Sequence, residues 1–305
     1  MDKVVIALGG NALGMTPTEQ QNLLKKAVKN IVPLIKKGDK VIITHGNGPQ
    51  VGIINLAFED SYENKDIPYM PMAECTAMSQ GYIGYHIEKA LKKELLSNEI
   101  DKNVVTVITE ILVSENDKAF LNPTKPIGPF YTKKEADRLA KETGETYIED
   151  SNRGYRKVVA SPKPLEIVQI DTINKLVDDS VVIACGGGGI PIFKNSKKGA
   201  NAVIDKDLAS SLLAKEINAD VFIILTSVDQ SMLNFNQENE KPIGRITVEE
   251  LKEYVKEGHF AKGSMLPKIN ACISFVEETG NKAIITSLNN LNNGIRGRKA
   301  TIITK

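Results

Sequence analysis

The 305-residue chain has only three cysteines, three histidines and almost no net charge, with 39 basic side chains against 38 acidic ones. Each scarcity excludes something. Cys75, Cys185 and Cys272 are too few and too scattered for a disulfide framework or for the close doublets of a zinc site, so they read as buried small apolar residues. Near-neutral charge removes the counterion-release drive behind general nucleic-acid binding. No apolar stretch approaches the length of a membrane span, and neither nucleic acid nor membrane is an expected partner. Met1-Asp2-Lys3 runs straight into Val4–Leu8, far too short a segment for a secretory signal, so a reducing cytoplasm is the expected location.

The familiar catalytic signatures are also missing. Gly46-Asn47-Gly48-Pro49-Gln50-Val51-Gly52 is one residue too long for the dinucleotide pattern, and Gly258 to Gly263 has P-loop spacing but is followed directly by Ser264 instead of lysine. No nucleophile elbow or reactive thiol setting is present, so covalent catalysis has no candidate. His86 and His259 lack partners at metal or triad spacing. His45, directly after a strand, reads either as a site residue or as a satisfied core group, and no catalytic histidine is expected.

What the sequence does have is alternation. Short β-branched runs recur at Val4–Leu8, Val41–Thr44, Val104–Ile108, Val181–Cys185, Val221–Thr226, Ala283–Thr286 and Thr301–Thr304, separated by helix-like stretches. That order implies a parallel sheet covered on both faces. Thr16 and Glu19 stand in capping-box spacing with Pro17 at the first helical position, and Leu23, Leu24, Ala27, Val28, Ile31 and Leu34 follow with helical period. Met72–Leu96 reads as a long helix rich in small residues, suited to a subunit contact. Between Ser114 and Pro164 five prolines bracket a charged stretch holding Arg153 and Arg156, with helix periodicity only around Lys133–Glu142. This is an expected inserted, protruding subdomain at about 114–164 within a single 1–305 domain.

Glycines cluster just after three of the expected strands, at Gly9-Gly10-Asn11, Gly46-Asn47-Gly48 and Gly186–Gly189. Beyond the carboxyl ends of strands such loops let backbone N–H groups surround an anion. Three lysines then stand out by company. Lys125 is braced by Pro123, Pro126 and Pro129; Lys206 lies between Asp205 and Asp207 just before a helix expected to begin near Leu208; Lys268 falls in the first turn of a helix, a poor place for a cation unless an anion binds there too. Without a P-loop lysine, a protein that handles phosphates needs its positive charge delivered from separate segments such as these.

In their order along the chain, Ala7–Leu13, His45–Gly52, Ala77–Gly81, Asn122–Phe130, Gly154–Val159, Ser161–Pro164, Cys185–Pro191, Ile204–Asp207 and Gly258–Lys268 closely resemble the carbamate kinase branch of the amino acid kinase family. The resemblance spans the whole chain. It implies a three-layer α/β/α sandwich with a mainly parallel eight-stranded sheet and a small protruding subdomain, a homodimer, and reversible phosphoryl transfer between ATP and carbamate, giving ADP and carbamoyl phosphate, with Mg²⁺ bound along with ATP or ADP. It implies that Gly9, Gly10 and Asn11 hold the transferring group and that Gly46, Asn47 and Gly48 face carbamate. Lys125, Lys206 and Lys268 would be catalytic, with Asp207 orienting lysine, while Gly187, Gly188, Thr226, Val228, Asp229 and Met265 would hold the nucleotide; no side-chain metal ligands are expected. The chain departs from the family after Gly14, where it is short, and after Asp229, where Gln230-Ser231-Met232-Leu233-Asn234-Phe235 replaces the usual residues near adenine. A kinase of another small acid and a silent nucleotide-binding regulator are the rival readings.

Overall fold

A computed structural model describes residues 1–10, 13–65, 67–150, 153–261 and 263–305. The strands are β1 (Lys3–Leu8), β2 (Lys40–His45), β3 (Asn103–Thr106), β4 (Glu110–Val113), β5 (Lys125–Tyr131), β6 (Tyr147–Glu149), β7 (Tyr155–Val159), β8 (Glu166–Ile167), β9 (Ser180–Ile183), β10 (Ile190–Phe193), β11 (Val221–Thr226), β12 (Met232–Leu233), β13 (Lys241–Pro242), β14 (Arg245–Thr247), β15 (Lys282–Ser287) and β16 (Thr301–Thr304). The helices are α1 (Pro17–Lys37), α2 (Gly48–Lys65), α3 (Met72–Ser97), α4 (Lys133–Thr143), α5 (Ile170–Leu176), α6 (Lys206–Glu216), α7 (Val248–Lys256), α8 (Met265–Thr279) and α9 (Leu291–Ile295).

Eight strands form the main sheet in the order β14-β16-β15-β11-β1-β2-β9-β3. Every neighbouring pair is parallel except β15 with β16. The strand period of two assigns alternate residues to opposite faces. In β1, Val5 and Ala7 pack with α6, α7 and α8, while Val4, Ile6 and Leu8 pack with α1 and α3. The result is the expected three-layer α/β/α sandwich, with buried β-branched strands between two helical layers.

The seven expected strands of the main sheet are all present. The eighth, β14, has three residues and no apolar run to announce it. The α1 cap differs from the expected box: Thr16 accepts from the Glu19 N–H at 3.2 Å, but the Glu19 carboxylate reaches past Thr16 to the Met15 N–H at 2.8 Å. Full capping boxes stand instead at Thr132/Glu135 and Thr247/Glu250. Within 114–164, β5, β7 and β6 make a small antiparallel sheet backed by α4. It docks on α2, where a Cβ at Gly52 would fall 2.0 Å from the Gly128 amide nitrogen, so only glycine permits the approach.

Candidate active site

The loops after β1, β2 and β9 leave the same edge of the main sheet beside its centre, the place where open α/β sheets bind ligands. There a cleft of about 260 Å³ is lined by Gly10, Gly46, Asn47, Gly48 and Gly187 on the loop side. Lys125, Arg153, Arg156, Lys206 and Lys268 also line it, against Asp150, Asp205 and Asp207. Five cations face three carboxylates, so the walls carry an excess of positive charge. The cleft is built for an anion.

The three lysines picked out of a heavy lysine background converge. α6 begins two residues earlier than expected, at Lys206, because the Asp205 carboxylate accepts the Asp207 N–H at 2.8 Å and caps the helix. The other oxygen of Asp205 accepts from Lys125 Nζ at 2.6 Å. Asp207, buried in the first turn, is gripped by Lys206 on one oxygen and by Lys268 on the other at 3.1 Å. Lys268 also donates to the Ser264 carbonyl at 3.2 Å. Two aspartates thus fix three ammonium groups that arrive from β5 of the small sheet, from α6 and from α8.

The electrostatics of these groups are unequal. Burial works against the Lys125 charge, but Asp205 outweighs it and the ammonium's pKa is raised. For Lys206, burial lowers the pKa, Lys268 lowers it further, and Asp207 only partly offsets them. Burial likewise lowers the Arg156 guanidinium against the pull of Asp150. Asp205 goes the other way: burial would raise it, yet the Lys125 charge and hydrogen bond take its carboxyl well below the usual carboxylate range. Buried positive charge that its own carboxylates do not fully compensate is stabilised by a bound anion.

The loop geometry is specific. A Cβ at Gly187, where φ is +66°, would fall 2.1 Å from Asn47 Nδ2, so the β9 loop can lie on Asn47 only as glycine. Asn47 Nδ2 in turn donates to Ser79 Oγ at 2.8 Å, and Ser79 donates to the Thr76 carbonyl. His45 is fully buried; its Nδ1 lies 3.0 Å from the Gly46 carbonyl, and burial brings its pKa to about 4, so it is neutral at physiological pH.

A second pocket of about 160 Å³ shares Ser264 and Lys268 with the cleft. Thr226, Val228, Met232, Phe235, Phe260 and Met265 line it. A largely apolar, partly aromatic slot that opens on clustered lysines suits a ligand with a flat apolar part and an anionic part. Met232 and Phe235, from the segment that departs from the family after Asp229, are among its walls.

Not every residue singled out from sequence reaches these pockets. Gly9 borders a neighbouring groove with Leu23, Lys26 and Ser287. Gly188 packs on the Ile204 carbonyl. Asp229 accepts from Ser287 Oγ and from Asn290 Nδ2, which ties down the turn after β15 and leaves it outside both linings. Asn11 lies outside the described residues. Asp205, Gln50, Arg156 and Phe260 also line these pockets, with no role expected for them from sequence; the carboxylate next to Lys206 and the charged run around Arg153 were the signals at hand for two of them.

Clustered lysines without a P-loop, glycine loops at the sheet edge and an adjoining apolar pocket are the parts a phosphotransferase of the α/β/α type requires. The chain belongs to the amino acid kinase family, whose sequence profile matches residues 2–287. Its relatives narrow the class. It is 50% identical over 307 residues to Carbamate kinase 3 of Staphylococcus aureus (strain USA300), covering 99% of each chain. It is 49% identical over 309 residues to the carbamate kinase of Staphylococcus haemolyticus (strain JCSC1435), with 100% of each covered. Among solved structures, carbamate kinase from Giardia lamblia bound to AMP-PNP matches with a TM-score of 0.90 at 43% identity, over 100% of this chain and 98% of that one.

Proposed function

We propose that the chain is a carbamate kinase, transferring a phosphoryl group reversibly between ATP and carbamate. The observation that carries the reading is the convergence of Lys125, Lys206 and Lys268 on Asp205 and Asp207 beside a base-sized pocket, in a chain half identical to named carbamate kinases. In the forward direction a carbamate oxygen attacks the γ-phosphorus of ATP and ADP departs with the bridging oxygen. In reverse, the β-phosphate of ADP attacks the phosphorus of carbamoyl phosphate and carbamate leaves, later giving ammonia and CO₂. Neither direction needs a protein nucleophile.

Lys206 and Lys268, fixed by Asp207, hold the nucleotide phosphates and the moving group. Lys125 meets the transferred oxygens from the opposite wall. Gly10 and the Gly46–Gly48 turn present backbone donors at the reacting end. Mg²⁺ bound along with ATP or ADP would neutralise phosphate charge. Asp205 and Asp207 are both engaged by lysines, so we assign its coordination to phosphate oxygens and water.

Two wider features belong to the same proposal. Met78, Gly81 and Tyr85 lie exposed along α3 and form the face offered to a two-fold partner, whereas Gly84 is taken up inside the subunit, where a Cβ would fall 2.4 Å from the Thr106 side chain. No helix among the described residues is long and apolar enough to cross a membrane, and we place the enzyme in the cytoplasm. The test is ATP formation from ADP, Mg²⁺ and carbamoyl phosphate. ATP should appear and should cease in excess chelator; ADP binding without turnover would overturn the assignment in favour of a silent regulator.

A further inference from the structure

Six buried side-chain polar atoms lack a hydrogen-bond partner among the described residues, and two of them belong to side chains that line the cleft. One is a donor, Arg156 Nη2. The other is an acceptor, Gln50 Oε1. Their residues are 8% and 4% exposed. Leaving such groups unpaired costs far more than a surface group would, so each needs a reason.

The remaining polar atoms of both side chains are employed in holding them still. Arg156 Nε donates to the Gly128 carbonyl at 3.0 Å and Nη1 to Asp150 at 3.2 Å. Gln50 Nε2 donates to the Gly14 carbonyl at 2.8 Å, which also settles which end of its amide is the oxygen. Both meet the first turn of α2. Gln50 is part of it, and Arg156 Nη2 lies 3.9 Å from where a Gly48 Cβ would stand. They come from opposite walls, Gln50 from the main body and Arg156 from β7 of the small sheet, whose neighbour β5 carries Lys125.

One fixed donor and one fixed acceptor are complementary to a carbon bearing both an oxygen and an N–H group. A phosphate offers acceptors only and leaves Gln50 Oε1 unmet. We infer that Arg156 and Gln50 form the subsite that reads the carbamoyl group, Arg156 Nη2 donating to its oxygen and Gln50 Oε1 accepting from its amine. This rests on the carbamate kinase reading and adds the source of its substrate choice: Arg156 accepts any acyl phosphate, and Gln50 separates an amine from a methyl group. Because the two side chains stand on separate walls, the subsite is complete only while the small sheet is docked.

The experiment compares carbamoyl phosphate with acetyl phosphate, which keeps the carbonyl and replaces the amine by methyl, at saturating ADP and Mg²⁺. The readout is the ratio of their kcat/KM values, or of their inhibition constants if acetyl phosphate turns over too slowly. Gln50→Leu should cut the preference for carbamoyl phosphate about tenfold or more, the scale of one lost buried hydrogen bond. Gln50→Glu keeps the acceptor while losing the bond to Gly14, so it should hold the preference within about twofold even as its added charge lowers both rates. Arg156→Lys should raise KM for both acyl phosphates together and leave KM for ADP unchanged. An active wild type whose preference is unmoved by Gln50→Leu, or lost equally in Gln50→Glu, overturns the subsite alone. A wild type that makes no ATP from carbamoyl phosphate overturns the functional reading and the subsite with it.

Discussion

The main sheet and the small β5-β7-β6 sheet both send cations into one cleft, yet they are held together by different forces. β1 and β11 are buried almost throughout between two helical layers, and Lys206 and Lys268 stand on helices rooted in that core. The small sheet buries Ile127, Val158 and Val159, and its helix α4 buries only Ala136. Charge holds much of the rest: Lys157 lies between Glu59 at 3.0 Å and Glu145 at 2.9 Å, and Arg156 clamps Gly128. Regions with little buried apolar surface open locally at low cost. Fixed cations suit a ligand that must be bound, whereas a cation on a loosely held arm suits charge that has to arrive late. The Lys125–Asp205 ion pair joins the two inside the cleft itself.

The largest expected effect follows from that contrast. Lys125→Ala should lower kcat by about a hundredfold or more, the scale of one preorganised charge donor, while ADP affinity stays nearly intact. Steady-state kinetics with carbamoyl phosphate, beside calorimetry with ADP, separates the two quantities. A mutant with near wild-type turnover would mean that Lys125 only pins the small sheet to Asp205.

Lys268→Ala asks the converse question of the main body. It should weaken ADP about tenfold or more, since a charge-assisted contact to phosphate is lost. Asp207 keeps Lys206 as its partner and is not left alone. Equal nucleotide affinity in mutant and wild type would erase the distinction between a binding wall and a closing wall.

The same contrast governs what could be read in advance. Strands of the main sheet are legible because burial on both faces forces β-branched runs. β8 has only two residues and β10 is interrupted by Pro191, so neither carries such a run. The Gly46-Asn47-Gly48-Pro49-Gln50 stretch reads as a loop because of its glycines and proline, whereas α2 starts inside it at Gly48, where a helix tolerates Gly and Pro. Lys125, Lys206 and Lys268 were legible through their neighbours in sequence. Arg156 and Gln50 were not, because an unpaired atom exists only once the fold has removed water from around it. The partners of Asp229 were hidden for a related reason: Ser287 and Asn290 lie 58 and 61 positions further along the chain.

The smallest effect tests whether the main body can be tuned without touching the cleft. Glu216 ends α6, ten residues and so about 15 Å from Lys206 along the helix axis. Burial first, then the neighbouring Glu166 and Glu278 charges, push its pKa up to about 7, against a weak hydrogen bond from the Ile167 N–H and the charge of Lys215. The folded protein therefore holds a proton there that the unfolded chain, with an ordinary carboxyl, releases at lower pH. Between roughly pH 4.5 and 7 the native state binds more protons than the unfolded state, so this group's contribution to stability falls as pH rises and is fully unfavourable above pH 7. Glu216→Gln removes the titration while keeping an oxygen for Ile167. It should stabilise the protein by on the order of 2 kcal/mol at pH 8 and by little at pH 5, with kcat and KM for ADP unchanged. Thermal unfolding of both proteins at the two pH values is the measurement, and a melting-temperature gap that does not widen with pH would show that Glu216 is ionised in the fold at no cost.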